Sequence, residues 1–351
     1  MDNNVEKIEL FKYKISFLYP LTTNGSYSRT GIVIFLYDKN GYYGIGEISP
    51  MPYLSKETIY ASLKQLMDIS ELLQAREDFA NLLESLDLFP SVKFGLELAF
   101  LDLMANRKGV PLWKIMNNFK PKDFIKINAL VTNLSKSKEI CKLIKMGYTS
   151  FKFKVKNMED IEKIKKIRSL IGNDISIRVD TNKSFSFKEG IILGKTLYPY
   201  NIDYIEDPIF DINKLKEFFY ITKIHVGIDQ DINNKKLRYG DHVKAWIIKP
   251  GIIGGLKESI SLINEALANN IYPIVSNPFY SGIAVSCLVQ MASAFVHMDI
   301  PMGFDPYRWI EEDILEEPFD IINGSFSLKD VVRKSKKINK KKLTIIRCGC
   351  F

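Results

Sequence analysis

A regular alternation of short apolar strands with amphipathic helices begins near residue 119 and constrains the fold more than any other feature of the sequence. Helical segments such as MEDIEKIKKIRSLI separate most of the strands, and the unit repeats about every 20–30 residues, the length of one strand with one helix. Seven such units in a row predict a (β/α) barrel, with a doubly wound open sheet as the alternative. The predicted strands span residues 125–131, 150–155, 175–180, 202–208, 225–231, 245–251 and 271–277.

The segments on either side of this alternation have a different pattern. Residues 1–118 contain the strand patterns IELFKYKISF and TGIVIFLYDKNGYYGIGEI, with the turn DKNG inside the second, and helical patterns at 56–76 and 91–106. We therefore expect an α+β domain over residues 1–118 and the barrel over 119–303. The C-terminal segment, 304–351, is expected to return to the first domain.

The composition indicates a globular protein with an ample core. Hydrophobic residues make up 46% of the chain and charged residues 26%, which is ordinary for a soluble domain. The N-terminus, MDNNVEKIEL, has no apolar signal region, and no later apolar run is long enough to span a bilayer. These observations predict a cytoplasmic protein without a membrane partner.

The net charge of +8 raises the hypothesis of a nucleic-acid partner. The lysines, however, are spread along the whole chain, and the dense basic run KSKKINKKK at 334–342 is interpreted as a solvated tail. We therefore expect no nucleic-acid partner. The four cysteines form no disulfide framework; Cys141 and Cys287 are predicted to lie in the core, whereas Cys348 and Cys350 are interpreted as incidental.

Polar and charged residues stand at the carboxyl end of each of the last six predicted strands. Each one alone is explained by a helix cap, a turn or a solvated loop. Three consecutive strands, however, end in a carboxylate, and strands on both sides of them end in lysine. The residues in chain order are Lys152 and Lys154, Asp180 and Asn182, Glu206 and Asp207, Asp229 and Asp231, Lys249, then Ser276 and Asn277.

The three carboxylates predict a metal site. Adjacent strands lie about 4.8 Å apart, so Asp180, Glu206 and Asp229 are expected to converge at the mouth of a barrel. Mutual repulsion would protonate one of them unless a cation were present. Hard oxygen ligands from separate strands suit Mg²⁺, with Mn²⁺ as an alternative.

The lysines on the two flanks predict proton transfer. Lys154 is expected to face the metal from one side and Lys249 from the other, and a buried lysine near other cations has a lowered pKa and can act as a base. The alternation FKFKVK at 151–156 places Lys152 and Lys154 on one face of a strand. We expect that face to look into the barrel, while the intervening apolar side chains pack outward.

This set of residues resembles the enolase superfamily, specifically its muconate-lactonising branch. That branch has a Lys-x-Lys pair on the second strand, three carboxylate ligands on the next three strands and a lysine on the sixth. Within it, RTGIVIFLYDKNGYYGIGEISPMPYLSKET at 29–58 looks like the pattern of o-succinylbenzoate synthases. PSVKFGLELAFLDL at 90–103 and VSNPFYSGIAV at 275–285 match further segments of these enzymes.

The resemblance implies a modified TIM barrel of the form (β/α)7β with an α+β capping domain built from the N-terminal part and the C-terminal segment. It implies a lyase that acts on a small-molecule carboxylate: a hydroxycyclohexadiene carboxylate bearing a succinyl chain loses water to give o-succinylbenzoate in menaquinone biosynthesis. In this scheme Lys154 removes the α-proton and can return it to the departing hydroxyl. Lys249 stabilises the enediolate together with the metal, and Lys152 neutralises the carboxylate.

Residues implied to contact the substrate come from the strand ends and from two loops of the cap, 24–29 and 50–55. They are Asn182, Ser276, Asn277, Ser281, Gly282, Ser28, Arg29 and Tyr53.

Other reactions on the same fold stay open. They are N-acylamino-acid racemisation, dipeptide epimerisation and muconate cycloisomerisation, and a monomer or a dimer is equally compatible with the sequence. A dipeptide epimerase should carry an Asp-x-Asp pair on the last strand, and none follows Ser276. Gln230 and Pro278 depart from the usual residues of o-succinylbenzoate synthases and leave the exact substrate open.

Overall fold

The computed structural model describes residues 5–21, 25–74, 78–135, 137–235 and 239–346. The strands are β1 Lys7–Phe17, β2 Ser28–Tyr37, β3 Tyr43–Ile48, β4 Phe124–Lys126, β5 Ala129–Val131, β6 Ser150–Lys154, β7 Ser176–Asp180, β8 Ile202–Glu206, β9 Val226–Ile228, β10 Val243–Ile248, β11 Tyr272–Val275, β12 Ile310–Glu312, β13 Ile321–Ile322, β14 Ser325–Ser327 and β15 Leu343–Ile345.

The α-helices lie between these strands in the sequence. They are α1 Ile59–Gln74, α2 Phe79–Ser85, α3 Pro90–Lys108, α4 Leu112–Met116, α5 Ser137–Lys145, α6 Glu159–Ile171, α7 Phe187–Leu197, α8 Leu215–Thr222, α9 Pro250–Ile253, α10 Leu256–Ala268, α11 Gly282–Phe295 and α12 Leu328–Ser335.

Strands β5 to β11 form one parallel sheet in which spatial order follows chain order. The extended segment at Met302 and Gly303 bonds to both edges of this sheet, because Met302 pairs with Ile127 and Gly303 pairs with Ser276. The sheet therefore curls into a barrel that is closed by this segment as its last, short strand, as expected for a (β/α)7β topology. The barrel prediction is confirmed, and the open-sheet alternative is wrong.

The first predicted barrel strand, 125–131, is divided in the structure. Its first part is β4, which pairs with β14 in a separate three-stranded sheet, and its second part is β5, which pairs with β6. At the division, the backbone N–H groups of Ile127 and Asn128 donate to Gly324 and Met302 respectively. The chain thus passes from one sheet to the other without losing its backbone hydrogen bonds.

The cap is an antiparallel sheet in the order β12-β1-β2-β3, with β15 also paired to β1. Because β12 and β15 come from the C-terminal segment, the expectation that this segment returns to the cap is confirmed. Helix α3 lies directly on β3, and a Cβ at Gly46 would overlap the carbonyl oxygen of Gly95. Glycines therefore permit this close approach of helix and strand. The proposed domain boundaries stay a prediction.

The alternation FKFKVK behaves as expected. Phe151, Phe153 and Val155 are buried in the main hydrophobic core, while Lys152 and Lys154 lie on the opposite face of β6. Since residues two apart on a strand share a face, the two lysines point into the barrel. Burial of each phenylalanine contributes on the order of 1.5–3 kcal/mol, which anchors the strand that carries the lysines.

Among the residues that the structure describes, no helix is both long enough and apolar enough to cross a membrane.

Candidate active site

The charged residues at the strand ends meet at one end of the barrel. Lys154 on β6 is the register partner of Asp180 on β7, and Asp180 is the partner of Glu206 on β8. Asp229 and Lys249 directly follow β9 and β10. Because the strands are parallel, all of these residues stand at their carboxyl ends, where chemistry is located in barrels of this type.

Two lysines hold the three carboxylates. The Nζ of Lys152 lies 2.8 Å from Oδ2 of Asp180 and 2.6 Å from Oε1 of Glu206. The Nζ of Lys249 lies 2.6 Å from Oδ1 and 2.5 Å from Oδ2 of Asp229. The five side chains form two adjacent ion-paired groups, and all three carboxylates are buried.

Lys154 has weaker partners than the other two lysines. It donates to the side-chain oxygen of Asn182 at 3.1 Å and lies 3.9 Å from Oδ2 of Asp180. Asn182 in turn donates its backbone N–H to Asp180. Lys154 is therefore the amine of this group that is least engaged with a carboxylate, which makes it the one best placed to contact a ligand.

Burial and neighbouring charges shift the proton affinities in opposite directions. Burial, helped by the positive charges of Lys152 and Lys249, lowers the pKa of Lys154. Burial also opposes the charged form of Lys152, but the carboxylates around it outweigh burial and hold its pKa well above the ordinary value. Burial and the charge of Asp180 raise the pKa of Glu206 to about 8. The buried carboxylates thus repel one another, as expected of oxygen ligands that a divalent cation would bind.

Asp207, beside these carboxylates, orders the backbone of the next strand end. Its carboxylate accepts the N–H groups of Asp229 and Gln230, each at 3.1 Å. Its own φ of 45° lies in the left-handed region, which a non-glycine residue adopts at a cost. Burial and the charge of Asp229 raise the pKa of Asp207 to about 7. The sequence pattern placed Asp207 at a strand end but did not reveal this role.

A cavity of about 290 Å³ opens over this group. The predicted residues that line it are Lys152, Lys154, Asp180, Asp229, Lys249, Asn182, Ser276, Asn277 and Tyr53. Glu206 is not among the lining residues, but it forms an ion pair with Lys152, which is. The volume and the mixture of apolar walls with a few convergent polar groups suit a small carboxylate.

Two cap residues predicted to contact a substrate lie outside this lining in the described part of the chain. Ser28 stands at the start of β2, paired with Ser16. Arg29 is buried and bonds to backbone carbonyls. Asn24, in the same cap loop, lies outside the described residues, as do Cys348 and Cys350.

Two residues at the start of helix α11 also lie outside the lining. Ser281 caps this helix and bonds to Glu47 of the cap. Gly282 donates its N–H to Asp313. Both residues therefore contact the protein where a contact with substrate was expected.

Several lining residues were not anticipated from the sequence. Asn128 and Leu130 come from the divided first strand, and Met51 comes from the second cap loop. Gly303 lies in the segment that closes the barrel, and Pro306 lies just after that segment. Asn128 accepts a hydrogen bond from Ser150 at 2.5 Å. A polar residue inside the apolar pattern IKINALV was the available signal for Asn128, and Met51 lies in the cap loop 50–55 that the sequence had indicated, whereas the other three carry no signal.

The carboxylates at the strand ends are of the type that a divalent metal requires, but lysines occupy them. Among the described residues, no three His, Cys, Asp or Glu side chains are placed so that they could share a metal ion. Lys152 and Lys249 pair with the carboxylates instead. In chemical type the set fits, because three buried carboxylates at adjacent strand ends are the oxygen ligands that Mg²⁺ prefers. A cation would have to displace the two ammonium groups from their present positions.

Two family models match the chain. The "MenC, N-terminal domain" model matches residues 5–103, and the "Enolase C-terminal domain-like" model matches residues 137–332. The first therefore covers the N-terminal part of the cap, and the second covers most of the barrel and continues into the C-terminal segment.

Curated relatives carry different activities. The chain is 26% identical over 343 residues to o-succinylbenzoate synthase of Bacillus subtilis, covering 92% of this chain and 91% of that protein. It is 24% identical over 311 residues to N-succinyl-L-Arg/Lys racemase of Bacillus cereus, covering 82% and 84%. It is also 24% identical over 361 residues to the chloroplastic protein PHYLLO of Arabidopsis thaliana, covering 86% of this chain but spanning 20% of that longer protein.

Solved structures support the fold. The muconate lactonizing enzyme of Pseudomonas fluorescens aligns with a TM-score of 0.84 at 18% identity, covering 97% of this chain and 98% of that one. The N-succinyl Arg/Lys racemase of Bacillus cereus aligns with a TM-score of 0.80 at 19% identity, covering 98% and 100%. Since the match to the enolase-type barrel model extends over more than half of the chain, the chain belongs to the enolase superfamily.

Proposed function

We propose that this protein is a divalent-metal-dependent o-succinylbenzoate synthase, a lyase that removes water from a succinyl-substituted hydroxycyclohexadiene carboxylate in menaquinone biosynthesis. The observation that carries the proposal is the match of residues 5–103 to the MenC N-terminal domain, since the barrel alone is compatible with several reactions. The relatives that bear the synthase name add support.

Asp180, Glu206 and Asp229 would hold Mg²⁺ or Mn²⁺. The cation, when bound, supplies Lewis-acid stabilisation for negative charge on the carboxylate of the substrate. The protein itself supplies a buried pocket in which such charge is stabilised more strongly than in water. Lys152, which lies between two of the ligands, would offset the remaining negative charge of the carboxylates.

Lys154 would remove the proton from the carbon next to the substrate carboxylate. Its weak engagement with Asp180 and its lowered pKa both favour a neutral amine that accepts a proton. The same ammonium could then protonate the departing hydroxyl, so that water leaves and the ring becomes aromatic. Lys249, paired with Asp229, would stay cationic and stabilise the charge that develops on the carboxylate oxygens.

The walls of the cavity would bind the rest of the substrate. Asn182, Ser276 and Asn277 offer polar groups, whereas Tyr53 and Phe279 offer apolar surface. Four residues that were expected to contact the substrate contact other parts of the protein in the structure, and their contact with the substrate stays a prediction. They are Ser28, Arg29, Ser281 and Gly282.

The direct test is turnover. Purified protein is incubated with the cyclohexadiene substrate and Mg²⁺, and the aromatic product is followed by its ultraviolet absorbance. We expect product formation that stops after chelation of the metal and is lost in Lys154→Ala. Lys244→Met serves as the control, because Lys244 lies toward the opposite end of the barrel and pairs with Asp203. No turnover of this substrate by the wild-type protein would overturn the proposal.

N-acylamino-acid racemisation is the second candidate. The relative named N-succinyl-L-Arg/Lys racemase supports it, as does the placement of lysines on both sides of the carboxylates. A racemase would use Lys154 and Lys249 alternately as base and acid. Exchange of the α-proton of an N-succinylamino acid in D₂O, starting from either enantiomer, would identify this activity. A dipeptide epimerase on the same fold would be recognised by epimerisation of dipeptides.

The other expectations stay predictions. They are a cytoplasmic location, a monomeric or dimeric state and the absence of a nucleic-acid partner. Retention on DNA or RNA that falls steeply with salt would contradict the last of these.

A further inference from the structure

The guanidinium of Arg29 connects segments that are far apart in the sequence. Arg29 lies on β2 of the cap and is 4% exposed. It donates hydrogen bonds to the carbonyl oxygens of Ser49, also in the cap, and of Pro278 and Phe279 after β11. Pro278 and Phe279 line the active cavity. A buried cation of the cap therefore holds the backbone of one cavity wall.

The ring of Tyr280 extends this connection into the barrel. The guanidinium carbon of Arg29 lies 5.2 Å from the ring centroid of Tyr280, within the range of a cation–π contact. The ring of Phe94, on cap helix α3, stacks on that of Tyr280 with the centroids 5.6 Å apart. The backbone N–H of Tyr280 donates to the side-chain oxygen of Asn277 at 2.7 Å. Tyr280 is thus held by contacts from both domains and is 1% exposed.

The hydroxyl of Tyr280 lies against Gly251, close to Lys249. A Cβ at Gly251 would overlap this hydroxyl oxygen, whereas the next ring atom would lie 3.3 Å away and Phe94 3.4 Å away. Gly251 belongs to the short helix α9, and the carbonyl of Lys249 accepts the first hydrogen bonds of that helix, from Ile252 and Ile253. A shift of Gly251 would therefore move the backbone that carries Lys249.

We propose that Arg29 and Tyr280 are positioning residues. Together they fix the cavity wall at 276–279, and the contact of Tyr280 with Gly251 fixes the amine of Lys249 relative to that wall. This inference rests on the proposed function only in giving Lys249 a catalytic role. It explains why Arg29, at a position expected to touch substrate, instead points at backbone carbonyls. A displacement of about 1 Å at a catalytic group can lower the rate about 10²-fold, so such positioning matters for the chemistry.

A two-residue rescue tests the contact directly. Gly251→Ala should push the Tyr280 hydroxyl and displace α9, with a fall in kcat of about 100-fold. Tyr280→Phe removes the overlapping oxygen together with its hydrogen bond to the backbone of Gly251, and alone should lower kcat, but by less than Gly251→Ala does. In the double variant the methyl group introduced at position 251 occupies the vacated space, so kcat should rise again by at least about 10-fold over Gly251→Ala.

A second readout needs no substrate. The rate at which an amine-acylating reagent labels Lys249 is followed by peptide mass spectrometry in each variant. Gly251→Ala should change this rate, since displacement of Lys249 disturbs its pairing with Asp229, and Tyr280→Phe in the double variant should restore it. Gly194→Ala is the matched control: its Cβ would overlap the side chain of Thr222 on α8, away from α9, so stability falls while labelling of Lys249 stays unchanged.

The outcomes are separable. A wild-type protein without synthase activity would overturn the proposed function but leave the labelling comparison intact. The positioning role would be overturned if Lys249 in folded Gly251→Ala were labelled at the wild-type rate. It would also be overturned if adding Tyr280→Phe did not return an altered labelling rate to the wild-type value. If Gly251→Ala does not fold, Arg29→Lys takes its place, because one ammonium group cannot reproduce the bonds to Ser49, Pro278 and Phe279. Labelling of Lys249 should then change, and unchanged labelling would contradict the inference.

Discussion

Lys249 donates hydrogen bonds to both carboxylate oxygens of Asp229, at 2.6 and 2.5 Å, and so occupies the oxygens that a metal ion would bind. Asp229 is buried, and the side chain of Lys249 is 13% exposed. In a buried pair of this kind the ammonium and a divalent cation compete for the same ligand, because each compensates the charge of the carboxylate. The two roles proposed for these residues are therefore thermodynamically linked.

Replacement of Lys249 by methionine should separate metal binding from catalysis. Loss of the competing ammonium is expected to tighten binding of Mn²⁺ or Mg²⁺, whereas turnover should fall by about 10²–10⁴-fold because the charge that develops on the substrate loses its partner. Metal affinity can be measured by calorimetry in the absence of substrate. Lys244→Met removes an ammonium from near the opposite end of the same strand and should change neither quantity. Weaker metal binding in Lys249→Met would contradict the competition.

Asp207→Asn should weaken metal binding without removal of a proposed ligand. An asparagine has one oxygen acceptor, so it cannot accept the N–H groups of Asp229 and Gln230 on two separate oxygens as the carboxylate does, and its NH₂ group would face one of these donors. The backbone that carries Asp229 should loosen, and metal affinity should fall about 10- to 100-fold, the usual effect when a group that orients a ligand is lost.

The control for this change is Asp231→Asn. Asp231 follows the same strand but pairs with Lys183 rather than with the backbone of Asp229. Metal affinity within about threefold of wild type is expected there, because no orienting contact is lost. Equal losses in both variants would mean that net negative charge, and not the orientation of Asp229, determines the affinity.

The strand-end charges could be predicted from the sequence because parallel strands place their carboxyl ends together. That rule alone brings Lys154, Asp180 and Glu206 to one edge, and in the structure they are register neighbours. The alternation at 151–156 likewise sufficed to orient the two lysines. These features depend on local periodicity and on one topological rule.

Contacts between the cap and the barrel could not be predicted in this way. Arg29 bonds to the carbonyl group of a residue 250 positions later in the chain, and Ser281 bonds to Glu47 across a similar separation. Every residue has a backbone carbonyl, so the sequence does not indicate which carbonyl groups accept hydrogen bonds from Arg29. The division of the first barrel strand near Asn128 also depends on a distant contact, because β4 pairs with β14 from the C-terminal segment. The local sequence pattern at 125–131 does not indicate this pairing.

Lys154→Ala should abolish proton removal while the ligand site remains. Its amine donates to Asn182 and lies 3.9 Å from Asp180, so its loss breaks no short ion pair. We expect turnover to fall about 10²–10⁴-fold, together with the exchange of the α-proton of a bound carboxylate in D₂O followed by NMR. Substrate affinity, measured by calorimetry, should change much less. Exchange at the wild-type rate in this variant would assign the base to another group.

Glu97→Gln should remove part of the pH dependence of stability. Glu97, on α3 of the cap, accepts the N–H of Leu256, at the start of barrel helix α10, and burial raises its pKa to about 7. The unfolded carboxyl ionises near its ordinary value of 4.5, so between about pH 4.5 and 7 the native state holds the extra proton. Stability from this group is therefore present below that window and is lost as the pH rises through it, by on the order of 3 kcal/mol at most. Urea unfolding at pH 5 and pH 8 should show a smaller difference for Glu97→Gln than for wild type. The nearby Glu84→Gln, at a more exposed carboxylate that pairs with Lys93 and Lys257, should retain most of the wild-type difference, because burial and not the charge of Glu84 is the main cause of the raised pKa of Glu97. An unchanged difference in Glu97→Gln would refute the assignment.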